Sequence, residues 1–230
     1  MVRLQLSPRV TRLAFWLGCA ALAFGVFLKI TDELFESSKL QTFDEAILVF
    51  VARLRAGWLN AVMVDVTALG SLTLVVLHST LTLAILLLMR DRFAAAQLVA
   101  ASAGAGLLSR LTKGIVERAR PDVVPRLVDV SGYSYPSGHS LAAAAMYTTI
   151  AILVCRHLKS IRARSLVVGL AAVVIGLIAT SRAYLGVHYP SDIASGVALG
   201  VAWALLLAGG FSLVERQKRP TEAAYDQEDA

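Results

Sequence analysis

Two stretches of the chain carry side chains of the kind that bind and attack an oxyanion. The first runs from Lys113 through Arg120 to Pro121 and resumes at Tyr135-Pro136-Ser137-Gly138-His139. The second holds Ser181-Arg182, then His188, then Asp192. Lys113, Arg120 and Arg182 offer three cations to a phosphoryl group, and the two arginines can grip its oxygens bidentately. Ser137, Gly138 and His139 stand at the start of an apolar run. If that run is helical, its free N–H groups and dipole favour an anion there. Gly138, with no side chain, lets the backbone approach the anion closely. Asp192 follows His188 by four residues, so one helical turn brings them to a common face. A carboxylate holding one ring N–H fixes the tautomer and leaves a lone pair on the other nitrogen. His188 is then the natural nucleophile, Asp192 its support, and His139 the acid for the departing oxygen.

The elements that must position these residues are membrane helices. Of the 230 residues 57% are hydrophobic and 17% charged, and the mean hydropathy is +0.68. A soluble domain is about 45–50% apolar and roughly 25% charged. Spanning the hydrocarbon layer takes about 20 mostly apolar residues. Six stretches qualify: Leu13–Ile30, Leu72–Met89, Phe93–Thr112, His139–Cys155, Ser165–Thr180 and Ile193–Val214. The expected fold is all-α, a six-helix integral membrane bundle forming one domain over 1–219, with a polar, disordered tail over 220–230. The first run resembles a signal peptide in its basic flank, but its apolar character continues too far for a cleaved segment. Cys19 and Cys155 both fall in apolar runs and imply no disulfide framework. No basic face on soluble surface is present to bind nucleic acid.

Orientation follows from the lysines and arginines. With the N-terminus cytoplasmic, twelve of the 22 basic residues fall on the cytoplasmic side: Arg3, Arg9, Arg12, Arg90, Arg92, Arg156, Lys159, Arg162, Arg164, Arg216, Lys218 and Arg219. Asp32, Glu33, Glu36, Asp44 and Glu45 fall on the other. Both termini are expected to be cytoplasmic, with the phosphate-binding loops facing the periplasm or exterior of a bacterial inner membrane.

Between the first two spans, Phe43, Ile47, Phe50, Val51 and Leu54 recur at helical spacing against Asp44, Glu45, Arg53 and Arg55. This predicts an amphipathic, extracytoplasmic segment over 42–69, broken at Gly57. Other polar residues have ordinary roles in this reading. Arg118 and Arg126 anchor to headgroups, and Arg110 snorkels to the interface. His78 is an interior residue, and Asp65 caps or pairs locally. Gly196 and Gly200 form a helix-packing pair, and Trp203 packs or faces lipid.

The three patterns K-x6-R-P, P-S-G-H and S-R-x5-H-x3-D, in this order, resemble the type 2 phosphatidic acid phosphatase family of membrane lipid phosphatases. The matching region spans Lys113 to Asp192 without departure in residue type or spacing. The resemblance implies transient phosphorylation of His188, with His139 as general acid and Asp192 supporting the nucleophile. It also implies phosphate contacts from Lys113, Arg120, Ser137, Gly138 and Arg182, and no metal or other cofactor. The expected substrate is a lipid phosphomonoester or diphosphate. Undecaprenyl diphosphate is the leading candidate, ahead of phosphatidylglycerol phosphate or phosphatidic acid and of lipid A 1-phosphate. A carrier that binds the headgroup without cleaving it would need the cations but not His188 or Asp192. A phosphotransferase would use the same residues.

Overall fold

The computed structural model describes residues 7–225, all of whose regular elements are helical. In chain order they are α1 (Pro8–Glu36), α2 (Ser38–Ala52), α3 (Gly57–Ala68), α4 (Leu72–Leu88), α5 (Arg92–Val116), α6 (Gly138–His157), α7 (Ile161–Tyr184) and α8 (Pro190–Tyr225). Residues 226–230 of the expected tail, and Arg3 of the basic set, lie outside the described residues. Positions 220–225 continue α8.

Among the described residues, α1, α5, α6, α7 and α8 are long and apolar enough to cross a membrane. α4, with 17 residues, is too short alone. It qualifies as a sixth span only together with α3, bent from it by 47°. The expected interfacial segment is therefore divided: α2 stands by itself, and α3 runs into the α4 span. The bend falls at Gly70-Ser71, where Ser71 caps α4 through Leu74 N at 3.3 Å. A Cβ on Gly70 would come 2.5 Å from Ile178 Cγ2 and 3.3 Å from His139 Cβ. The bend thus presses bare backbone against α6 and α7.

The centre of the bundle is α6 against α8. Gly196 and Gly200 let the two backbones meet, since a Cβ on either would come 2.6 Å from Ser137 O or 2.5 Å from Leu141 O. Here the small-residue pair packs helices, as its spacing predicts. On α8, Trp203 packs against α5: its indole N–H donates to Ala100 O at 3.2 Å, and its ring fills the space left by Gly104. The remaining surfaces of α1, α4 and α7 carry exposed leucines, valines and phenylalanines, as helices facing lipid do.

On α2 the predicted polarity is inverted. Phe43 and Phe50 are each 60% exposed, while Asp44 is fully buried beside Leu48. Asp44 and Leu48 share a face one turn apart. That face turns toward the bundle because a buried partner for the carboxylate waits there.

Candidate active site

The start of α6, the end of α7, the start of α8 and the loop after α5 converge at one end of the bundle. α5 ends at Glu117, whose left-handed backbone (φ 49°) stops the helix and turns the chain into the loop over 118–137. α6 starts at Ser137, whose hydroxyl accepts from Ser140 N at 3.4 Å and Ser140 Oγ at 2.9 Å. The Ser137 N–H donates to Asp192 O at 2.9 Å, which ties the start of α6 to that of α8. This N–H is thus engaged with α8, which leaves the hydroxyl of Ser137 as its group for an anion. Gly138 follows, with room for a Cβ only 3.2 Å from Ser109 Oγ.

His188 lies in the short loop between α7 and α8 and is 2% exposed. Its Nε2 is 3.2 Å from Arg120 Nη1. A guanidinium only donates, so Nε2 is the acceptor and the ring proton resides on Nδ1. Nδ1 faces Ser134 Oγ at 3.3 Å and Asp192 Oδ2 at 3.5 Å. Ser134 donates its own hydroxyl proton to Asp192 Oδ2 at 2.5 Å, which turns its lone pairs toward the imidazole. Burial pushes His188 down to about 4, and the Asp192 carboxylate, as acceptor and negative charge, only partly opposes it. The ring is therefore neutral at physiological pH, with a lone pair on the nitrogen that faces the cations.

The three candidate cations lie around this end of the bundle. Arg120 ties its own loop to the one between α7 and α8, donating from Nε to Gly132 O (2.9 Å), from Nη2 to Ser131 O (3.0 Å) and from Nη1 to Val187 O (2.9 Å). Lys113 reaches Tyr133 O and, at 3.4 Å, Ser134 O. Arg182 is 3% exposed and donates to Thr67 Oγ1 on α3 at 2.7 Å. Its Nε is buried with no hydrogen-bond partner in the structure. A buried guanidinium N–H of that kind calls for an anionic acceptor. His139, half-buried against the Gly70 bend, lies within electrostatic reach of Arg182, His188, Arg120 and Lys113. All eight candidate residues thus belong to one end of the molecule. Among the described residues no group of three or more His, Cys, Asp or Glu side chains is arranged to hold a metal ion.

A second set was not anticipated as part of the site. Arg118, expected to anchor to headgroups, is instead buried. Its Nη1 donates to Asp192 Oδ1 and Ser191 Oγ, both at 2.7 Å. Its Nη2 donates to Gln41 Oε1 at 2.7 Å and Asp44 Oδ2 at 2.8 Å. The guanidinium lies 4.0 Å over the Tyr189 ring. Asp44 completes the network by accepting from Ser191 N at 2.9 Å and from Ser191 Oγ. Asp192 also accepts from Tyr189 N at 2.9 Å. The sequence signal available was a stoichiometric one, since a buried carboxylate shared with a neutral imidazole needs a further cation.

Arg126 donates to Pro121 O at 2.8 and 3.0 Å and so closes its own loop. His78, half-buried, faces Tyr147 OH on α6 at 3.4 Å.

The model of the PAP2 superfamily matches residues 94–213, which include every candidate residue. The chain is 32% identical to phosphatidylglycerophosphatase B of Bacillus subtilis over 83% of its own length and 94% of the relative's. It is 33% identical to a lipid A 1-phosphatase of Rhizobium johnstonii over 45% of this chain and 42% of that one. The crystal structure of a transmembrane PAP2 type phosphatidylglycerolphosphate phosphatase from Bacillus subtilis superposes with a TM-score of 0.74 at 30% identity, covering 93% of this chain and 99% of that one. With a matching family model, fold and full-length relative, the chain belongs to the PAP2 superfamily and is an integral membrane phosphatase, a hydrolase of phosphoesters.

Proposed function

We propose that the chain removes the terminal phosphate of a membrane glycerolipid, with phosphatidylglycerol phosphate the leading substrate. The relative that matches over nearly its whole length carries that activity in its name, and the superposed structure does too. They move the balance away from undecaprenyl diphosphate, the first expectation from the sequence. Isoprenoid diphosphates and the 1-phosphate of lipid A become secondary substrates.

The observation that carries the chemistry is the set of three contacts on the His188 ring, Asp192 and Ser134 at Nδ1 and Arg120 at Nε2. Nε2 attacks phosphorus in line as the bond to the leaving oxygen breaks, and His139 gives that oxygen its proton. Arg120 Nη1, beside the attacking nitrogen, passes its hydrogen bond from Nε2 to a phosphoryl oxygen. Lys113 and Arg182 hold the other oxygens with the Ser137 hydroxyl and the start of α6. As Nε2 bonds to phosphorus the ring gains positive charge, which Asp192 stabilises through Nδ1–H. Water then attacks the phosphohistidine, His139 takes the water proton, and phosphate leaves. None of these steps calls on a metal or other cofactor.

In this reading α3 and α4 form one broken span, six spans leave both termini on the same side, the cytoplasm, and the site faces the extracytoplasmic side of a bacterial inner membrane. The basic residues at the far helix ends support this orientation. A carrier without turnover has no use for the His188–Asp192 pair. The test is phosphate release by the purified enzyme from phosphatidylglycerol phosphate, phosphatidic acid, undecaprenyl diphosphate and lipid A in matched micelles. The highest kcat/KM is expected on phosphatidylglycerol phosphate. A preference of more than tenfold for undecaprenyl diphosphate would restore the earlier reading. Consumption of the lipid phosphate only in the presence of an acceptor lipid, with the phosphoryl group recovered on the acceptor and not as free phosphate, would mark a phosphotransferase.

A further inference from the structure

A cavity of about 1570 Å³ opens between α1, α6, α7 and α8, well away from the catalytic residues. α6 packs closely on α8, while α7 touches α8 much less and so stands off to leave the space. The cavity reaches His157 at the far end of α6, eighteen residues beyond His139. At 1.5 Å per residue that is about 27 Å, nearly the thickness of the hydrocarbon layer. It therefore opens near the opposite membrane surface from the site.

The cavity is polarised. Aliphatic side chains of α7 and α8 line its depth, and Phe15 and Trp16, in edge contact at 5.5 Å, form one wall. Cations from three different helices reach it at one end: Arg12 on α1, Arg156 on α6 and Arg164 on α7. Asp91 is the single acidic residue of the lining, and its carboxylate is engaged in capping α5 through Ala94 N at 2.9 Å. Two of the cations are braced: Arg156 Nη2 donates to the buried Gln97 Oε1 at 2.7 Å, and Arg164 Nε to Leu158 O at 2.9 Å. Pockets for small molecules hold about 300–1,000 Å³. A larger apolar volume at membrane depth, with three arginines at its end, fits long acyl chains below an anionic headgroup.

We propose that this cavity binds an anionic diacyl phospholipid of the leaflet opposite the catalytic site. Its occupant is a resident lipid that wedges α7 against α1 and α8 and is not turned over there. The assignment rests on charge complementarity and shape, and is independent of which lipid the active site hydrolyses. The three arginines supply an attraction that a zwitterionic lipid cannot match.

The test is native mass spectrometry of the delipidated, full-length enzyme, titrated with dioleoyl phosphatidylglycerol or dioleoyl phosphatidylcholine. Two variants probe the two halves of the cavity. Arg12→Gln with Arg164→Gln removes charge from the mouth. Gly176→Trp fills the interior from a position where an added Cβ meets nothing within 4 Å. The wild type is expected to retain phosphatidylglycerol in preference to phosphatidylcholine. Each variant should retain about tenfold less phosphatidylglycerol while turnover in detergent micelles and the melting temperature stay at the wild-type level. Equal retention of the two lipids by the wild type overturns the proposal. Undiminished retention by both variants also overturns it, since the lipid would then be bound elsewhere, including the active site.

Discussion

Asp44 and Asp192 lie 148 positions apart and are held by opposite ends of a single guanidinium, that of Arg118. The side chains of all three are at most 8% exposed. Through this link α2, outside the main bundle, bears on the carboxylate that orients His188. The arrangement also explains how two carboxylates can be buried so close together: each has the same cation within 2.8 Å, and Ser191 bonds to Arg118 and Asp44 in turn.

Breaking the link should therefore damage both stability and turnover. Arg118→Ala leaves two buried carboxylates without their cation and is expected to cost about 3–5 kcal/mol, read as a lowered melting temperature in detergent. Asp44→Asn is the milder probe, because an amide oxygen can still accept from Ser191. It should lower kcat by about tenfold with little change in KM. Wild-type kcat in a folded Asp44→Asn enzyme would show that α2 only packs.

His188→Ala is expected to abolish turnover and leave binding of a lipid phosphate largely intact, since Lys113, Arg120 and Arg182 remain. Asp192→Asn should reduce kcat by about 10²–10⁴-fold without eliminating it, because the imidazole stays while its tautomer is no longer enforced. Rapid-quench detection of acid-labile phosphoprotein in the wild type and its absence in His188→Ala would complete the test.

The pH profile carries a distinct signature. With His188 lowered to about 4 by burial, the ring is the free base throughout the neutral range. Loss of the nucleophile on acidification should thus centre near pH 4 and not near the ordinary 6.5. Asp192 favours the protonated ring, so Asp192→Asn should move that limb to still lower pH. Between about 4 and 6.5 the unfolded chain holds a proton on His188 that the folded one lacks, so folding weakens as pH falls through that window. kcat/KM and melting temperature, measured from pH 3.5 to 8, test both statements.

In the proposed mechanism Lys113, Arg120 and Arg182 meet the charge on the phosphoryl oxygens, so activity is expected to survive excess EDTA. Vanadate should inhibit by accepting His188 Nε2 as an apical ligand in a five-coordinate geometry. Loss of activity in EDTA with recovery on magnesium alone would contradict this reading.

Topology can be read with single cysteines in a background where Cys19 and Cys155 are serine. Cysteines at Glu36 and Val123 should react with an impermeant thiol reagent in intact cells, and one at Arg162 should not. The reverse pattern would place the phosphate site in the cytoplasm.

Much of the site was legible before folding was considered, because phosphate chemistry demands particular residue types at short spacings. His188 and Asp192 sit one turn apart, and Ser137-Gly138-His139 open a helix; both relations are local, so the chain itself encodes them. Membrane helices were equally legible from apolar runs, since no other open structure satisfies its backbone in lipid. The burial of Asp44 was not, and periodicity pointed the wrong way. In a membrane protein Phe43 and Phe50 are stable facing outward, so apolar spacing on α2 marks the lipid side as readily as the core. Nor could spacing divide the segment over 42–69, because the α3–α4 bend depends on how closely Gly70 approaches His139 and Ile178. Arg118 shows the same limit: its neighbours in sequence are loop residues, and only the folded bundle brings Asp44 and Asp192 to its two ends. Local chemistry was written in the sequence, whereas the pairing of buried charges across distant helices was decided by packing, where each desolvated carboxylate must find a cation.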